Sequence, residues 1–273
     1  MQFHFSPDGR DAANAAAAQI ARAAAQARSL FGAGATIDRV ALKHAAAWLN
    51  DALQGAKPSQ IVAAAQAAVP SGRLAVTSSF GAESALLLKY VADVDPAIPV
   101  LFLDTGWLFE ETLVYRDALI ARLKLTDVRS LRPDIAAVAE RDGERDLWFR
   151  DPDACCALRK VEPLAKAMTQ FDGWINGRKR FHGNERSNIP VVEADGARLK
   201  FNPLALVAQE DLRRAFDEFG LPRHPLESAG FASIGCMPCT SRVGAGQSVR
   251  DGRWAGRGKT ECGIHNTGEV QEG

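Results

Sequence analysis

No surplus of charge of either sign marks this sequence: Lys plus Arg total 33, Asp plus Glu total 33, and the formal net charge is zero. A general nucleic-acid binder displaces counterions from phosphates with an excess of cations. That class is therefore argued against, although a local basic site is not. Long apolar runs are missing too, and nothing approaches the roughly 18 consecutive apolar residues of a membrane helix. The opening Met1-Gln-Phe-His-Phe-Ser-Pro-Asp-Gly-Arg10 lacks a basic stretch followed by an apolar one, so no secretory leader is expected and the chain reads as cytoplasmic. Cysteine is scarce and odd in number, with five residues at 155, 156, 236, 239 and 262. In such a compartment clustered cysteines serve metals or catalysis more often than disulfides. There is no internal repeat. What is present is ordinary for a globular protein: 273 residues, 47% hydrophobic and 24% charged, enough for one domain or two small ones with a core.

Texture divides the chain into three parts, 1–70, 71–240 and 241–273. Residues 1–70 contain 24 alanines. Alanine loses no side-chain entropy in a helix, so Asn14–Leu30 and Val40–Leu53 are predicted helices, punctuated by Gly32, Gly34, Gly55 and Pro58. This part reads as a helical layer or the surface of a homo-oligomer. From Arg73 strands and helices alternate. Predicted strands are Leu74–Ser79, Ile98–Asp104, Thr126–Leu131 and Trp174–Gly177. Predicted helices are Ala82–Val91, Leu108–Leu123, Asp134–Arg141, Pro152–Met168 and Glu210–Phe219. The alternation predicts an α/β fold, a mostly parallel sheet with helices on both faces. Ligands of such sheets bind beyond the carboxyl ends of the strands, which directs attention to Ser78–Ser84 and Asp104–Gly106. Residues 241–260 hold five glycines and almost no apolar side chain. They cannot bury enough surface to order themselves independently, and the segment reads as a flexible tail.

Five features carry chemistry. Ser78-Ser-Phe-Gly-Ala-Glu-Ser84 joins a strand to a helix. Its small residues let backbone approach an anion at the helix N-terminus, but the Gly-Lys-Ser/Thr ending of a Walker loop is missing, and the plain alternative is a turn. Asp104, in Leu103-Asp-Thr-Gly106, accepts from a ribose or amine, or caps a turn. Cys155-Cys156 is followed 80 residues later by Cys236-Met-Pro-Cys239. Four thiolates suit zinc or an iron–sulfur cluster. Adjacent cysteines on a helix diverge by about 100° and do not readily share one ion, whereas a cluster offers several corners. A Cys-x-x-Cys redox pair beside two core cysteines is the plainer reading. The fourth feature is Lys259-Thr-Glu-Cys-Gly-Ile-His265. Across 241–260, Arg242, Arg250, Arg253, Arg257 and Lys259 against Asp251 give 5 − 1 = +4, and such cations favour a thiolate; an inert exposed thiol is the bland reading. The fifth is Asn176-Gly-Arg-Lys-Arg180, whose guanidinium forks match phosphate and sulfate oxygens, or which is a solvated charge run.

Together these residues resemble the assimilatory adenylyl-sulfate reductases, within the adenylyl-sulfate and phosphoadenylyl-sulfate reductase family. The resemblance spans Leu74–His265, about seven-tenths of the chain. Its most specific parts are Cys-Cys-Ala-Leu-Arg-Lys-Val-Glu-Pro-Leu (155–164), Ile-Gly-Cys-Met-Pro-Cys-Thr (234–240) and Lys-Thr-Glu-Cys-Gly-Ile-His (259–265). The resemblance implies an adenine-nucleotide α-hydrolase-like fold of the PP-loop type. Its modified pyrophosphate loop, with Ser78, Ser79, Phe80, Gly81, Glu83 and Ser84, would take the substrate beside Asp104 and Thr105. Cys155, Cys156, Cys236 and Cys239 are implied as ligands of one [4Fe–4S] cluster, with Lys160 between cluster and substrate. Arg250 and Arg253 are implied as phosphosulfate binders, joined by Arg178 or Arg180 and by His265, and Cys262 as the catalytic nucleophile. The implied reaction converts adenylyl sulfate to sulfite and AMP through an S-sulfocysteine, with thioredoxin or a glutaredoxin-like protein as reductant and no nucleic-acid or membrane partner. Trp254-Ala255 stands where relatives often carry more tryptophans.

Three rivals predict different outcomes. A phosphoadenylyl-sulfate reductase would turn over the 3′-phosphorylated nucleotide. An ATP-using adenylyltransferase or thiolation enzyme of PP-loop type would release pyrophosphate, although Phe80 and Glu83 break its usual Ser-Gly-Gly-x-Asp-Ser loop. A non-catalytic zinc or iron–sulfur module would lack nucleotide affinity and tolerate loss of Cys262.

Overall fold

The computed structural model describes residues 7–32, 37–244 and 246–265. Gly34 and the last eight positions of the predicted tail lie outside them. Three helices come first: α1 (Pro7–Arg28), α2 (Arg39–Ala52) and α3 (Pro58–Ala68). The first two follow the alanine pattern, and Asp38 caps α2 by accepting from the Val40 and Ala41 amides. The sequence reading places no helix at α3, because Pro58 looks like a break. Proline instead opens this helix, where an N–H has no intrahelical partner to lose.

The alternation beyond Arg73 gives β1 (Leu74–Ser78), α4 (Ser84–Val94), β2 (Val100–Leu103), α5 (Glu110–Leu123), β3 (Val128–Leu131), α6 (Ile135–Arg141), α7 (Leu147–Arg150), α8 (Pro152–Cys156), α9 (Glu162–Met168), β4 (Gly173–Ile175), β5 (Val192–Asp195), β6 (Arg198–Phe201) and α10 (Gln209–Glu218). The six strands lie in the order β3-β2-β1-β4-β6-β5. All neighbours run parallel except β5, which is antiparallel to β6. The β5–β6 hairpin escaped the sequence reading, although Asp195-Gly196 between two apolar runs is a hairpin signal. Gly196 takes the left-handed backbone that this turn requires (φ 61°).

Helices cover both faces, as predicted. Val76, Phe102, Ile175 and Phe201 belong to the large core beneath the N-terminal helices and α4. The alternate residues Ala75, Leu101 and Trp174 meet Leu164 and Met168 of α9 on the other side. The Asn50 side chain reaches from α2 to the outer strand. Its amide donates to the Val192 carbonyl (2.6 Å) and accepts from the Val192 N–H (2.9 Å). Among the described residues no helix is long and apolar enough to cross a membrane. Strand order reverses between β1 and β4, so the crevice at their carboxyl ends is the place for a ligand.

Candidate active site

The loop after β1 enters that crevice. Ser78, Ser79, Gly81, Glu83 and Ser84 line it, but Phe80 does not. Phe80 is fully buried in the core, edge-on to Phe102 at 5.4 Å, and its left-handed backbone (φ 47°) turns the ring away from the cavity. The Glu83 carboxylate meets Lys179 Nζ at 2.7 Å and lies 3.0 Å from His182 Nε2. Burial works to raise its pKa, yet the Lys179 and His182 partners hold it down at about 2. Thr105 lines the cavity; Asp104 does not. Asp104 accepts from Arg132 Nε (2.9 Å) and from the Gly106 amide (3.3 Å), which is the turn-capping alternative. After β4, Arg178 lines the cavity, whereas Arg180 donates to the Ile189 carbonyl outside it.

The paired cysteines end α8, which Asp151 caps through the Asp153 and Ala154 amides. A π-helical turn, Ala157–Val161, separates α8 from α9. Pro163 has no N–H to continue the ordinary ladder, so the backbone widens there. Cys156 packs with Cys236, Cys239 and Trp254, whereas Cys155 turns toward Leu147 and Leu158. This is the divergence expected of neighbours on a helix. The second pair is pinned to the loop after β2. Met237 N donates to the Trp107 carbonyl (2.7 Å), Leu108 and Cys236 form an antiparallel bridge, and Thr105 Oγ1 lies 3.2 Å from Cys236 Sγ. All five thiols are free.

These thiols act on one another electrostatically. Burial, then Cys156 and Cys236, push Cys155 up to about 12. Burial likewise raises Cys156 and Cys239. Cys236 goes the other way: burial opposes its thiolate, but Lys160, Thr105 and Arg253 outweigh it. Lys160 in turn is raised despite burial, by Cys236, Cys262 and Cys156.

The tail closes over this corner. Ser241 N donates to the Gly252 carbonyl (2.7 Å), Thr240 and Arg253 form a bridge, and Trp254 N donates to the Cys239 carbonyl (3.1 Å). A Cβ on Gly252 would stand 2.2 Å from the Ser241 carbonyl oxygen, so this approach needs glycine, whereas one on Gly235 would meet only the Arg253 guanidinium, the end of a flexible side chain. The tail's cations are not a solvated run. Arg257 donates to the Trp148 carbonyl, Arg250 to the Thr260 carbonyl, and Lys259 pairs with Asp153. Farther on, the His265 ring stacks on Trp174 (5.5 Å, 14°), and its carbonyl accepts from Lys200 Nζ. Cys262 is thereby half-buried against the cysteine corner, in the same cavity as Lys160, Arg178, Arg250, Arg253 and His265. Burial and the like charges of Arg186 and Arg253 pull Arg250 down to about 10, the mark of cations gathered for an anion.

Arg186 escaped the sequence reading. It stands alone in Asn-Glu-Arg-Ser, outside the Arg-Lys-Arg run, yet it lines the cavity and grips Glu261. Lys179 was passed over in favour of its arginine neighbours, although it anchors Glu83.

Sheet, switch-point crevice and gathered cations define an α/β protein with a cationic crevice beyond its strand ends. More particularly, the chain belongs to the family described as the phosphoadenosine phosphosulfate reductase domain, whose model matches residues 73–242. It is 46% identical over 245 residues to the adenosine 5′-phosphosulfate reductase of Mesorhizobium japonicum, covering 89% of this chain and 95% of that one. It is 40% identical over 236 residues to the phosphoadenosine 5′-phosphosulfate reductase of Gloeobacter violaceus, covering 84% and 95%. The fold matches the crystal structure of phosphoadenylyl-sulfate reductase from Candida auris in its phosphate complex, with a TM-score of 0.61, 22% identity and coverage of 74% of this chain and 97% of that one.

Proposed function

We propose that the protein reduces adenylyl sulfate to sulfite and AMP in assimilatory sulfate reduction, with thioredoxin or a glutaredoxin-like dithiol as the electron donor. The observation that carries this reading is the placement of Cys262 in one crevice with Lys160, Arg250 and Arg253, at the strand ends where a nucleotide binds. The Mesorhizobium relative, similar over nearly its whole length, supports adenylyl sulfate as the nucleotide.

The nucleotide lies along Ser78–Ser84 with its phosphosulfate toward the cations. The Cys262 thiolate attacks the sulfonate sulfur, the bond from sulfur to the bridging oxygen breaks, and AMP leaves with that oxygen and its electron pair. Lys160, Arg250 and Arg253 stabilise the charge that gathers on the departing phosphate. Covalent capture divides one difficult reduction into a sulfonate transfer and a thiol exchange. A thiol of the reductant then attacks Cys262 Sγ. Sulfite departs with the S–S electron pair, and the second thiol resolves the mixed disulfide, returning Cys262. Both electrons come from the dithiol.

The donor set suits a multi-iron cluster: Cys155, Cys156, Cys236 and Cys239 are buried thiols whose charges interact, and two face apart on one helix. The buried indole N–H groups of Trp107 and Trp254, both packed at this corner, have no protein partner, and cluster sulfur would provide one. A [4Fe–4S] cluster held there would supply a fixed electrostatic field beside Lys160 and would fasten the tail's root to α8.

Within this reading residues 1–70 form a helical layer, 71–240 the nucleotide and cluster domain, and 241–273 the tail that carries the nucleophile. The test is sulfite release from adenylyl sulfate with thioredoxin, measured against the 3′-phosphorylated nucleotide on the anaerobically purified protein. Preferred turnover of the second nucleotide would reassign the substrate. A Cys156→Ser protein that kept its full iron content would contradict the ligand set.

A further inference from the structure

The residue before the nucleophile occupies the anion site. Glu261 Oε1 lies 2.5 Å from Arg186 Nε, and Oε2 lies 2.7 Å from Arg186 Nη2, a two-pronged fork, with Arg250 Nη2 a further 3.3 Å from Oε2. The three side chains are largely shielded, with relative exposures of 12% to 14%. All three line the crevice that holds Cys262. Arg250 also donates to the Thr260 carbonyl at 2.6 Å, so the backbone on the amino side of Glu261 is held by the same cation.

Planar guanidinium forks recognise carboxylate and phosphate oxygens alike. Glu261 therefore makes with Arg186 and Arg250 the kind of contact that an anionic substrate group would make. Burial works to raise its pKa, but the hydrogen bonds and charge of Arg186, then Arg250 and Arg178, outweigh this and lower it, so the group is a carboxylate at neutral pH. One covalent link further along the chain is Cys262.

We propose that Glu261 is an internal stand-in for the substrate's anion: it holds Arg186 and Arg250 in register and pins Cys262 in the crevice, and the incoming phosphosulfate competes with it for those two guanidiniums. Substrate binding and the seating of the nucleophile are coupled through this one carboxylate. Glu261 is a positioning residue and touches no reacting atom. The proposal rests on the reading of the crevice as a phosphosulfate site.

The competition predicts a split that a merely structural role does not give. Glu261→Gln is isosteric and removes the competing charge. Measured by calorimetry in a Cys262→Ser background, where no sulfonate can transfer, adenylyl sulfate is expected to bind Glu261→Gln about 3- to 10-fold more tightly than the parent. With Cys262 intact, tryptic cleavage within 241–265 of the substrate-free protein is expected to quicken about 10-fold in Glu261→Gln, because the tail loses its anchor on Arg186 and Arg250. Tighter binding with a loosened tail supports the stand-in. Unchanged or weaker binding in Glu261→Gln, at equal iron content and melting temperature, overturns it. If the Cys262→Ser parent itself fails to bind adenylyl sulfate, the function reading fails instead, so the two failures are distinct.

Discussion

The first and last parts of the chain are both poor in large apolar side chains, and they order themselves by opposite means. The alanine-rich helices bond their own backbone and bury a face against the sheet: Leu42, Ala45 and Leu49 of α2 are buried in the main core. Residues 241–265 contain neither helix nor strand among those described. They are tied down by partners that the body offers, such as the Cys239 and Trp148 carbonyls, Asp153 and Arg186. Order made from apolar burial should resist mutation of the site, and order made from borrowed polar contacts should respond to it.

That contrast can be broken at four points. The largest effect belongs to Cys262→Ser. Sulfite formation should fall at least about 10⁴-fold, because the bond-forming atom is gone. The urea midpoint and iron content should hold, and sulfonate still found on the variant by mass spectrometry would remove Cys262 from its role. Next comes Leu49→Ala. Leu49 is fully buried in α2, so truncation should cost about 2–4 kcal/mol of unfolding free energy. KM for adenylyl sulfate should not move, and a shifted KM would show that the helical layer reaches the site.

A smaller effect is expected of Gly252→Ala, whose Cβ collides with the Ser241 carbonyl. Tryptic cleavage within 241–265 should quicken about 10-fold and turnover should drop to match, while the body's urea midpoint shifts by less than about 1 kcal/mol. Equal loss in body and tail would erase the contrast. The smallest effect is acidic. Glu83 titrates near 4.5 when free and at about 2 in the fold, so its contribution is complete above pH 4.5 and is lost as pH falls toward 2. Between pH 5 and pH 3 stability should decline by about 1–2 kcal/mol more in the parent than in Glu83→Gln, as read from urea midpoints at pH 5, 4 and 3.

Much of this was legible before the fold was seen, wherever chemistry is written in local patterns. The alternation of strands and helices shows in β1 to β4, and the pairs 155–156 and 236–239 show in their spacing. What escaped depends on contacts distant in sequence. Arg186 has no local signature, and its place follows from meeting Glu261, 75 residues away. Phe80 and Asp104 sit inside suggestive motifs, but a backbone angle sends one into the core and a nearby Arg132 holds the other outside the crevice. Pro58 misled because proline signals a start as well as a stop.

The reach of Asn50 to Val192 has a consequence of another kind. An outer β-strand displays unsatisfied N–H and C=O groups that invite a strand from another molecule. The Asn50 amide answers one of each on β5, as an adjoining strand would, and the row of groups is interrupted there. The helical layer thus doubles as a stopper on the sheet. A chain shortened to begin near Arg73 would keep the crevice residues while baring a template for fibre-like growth.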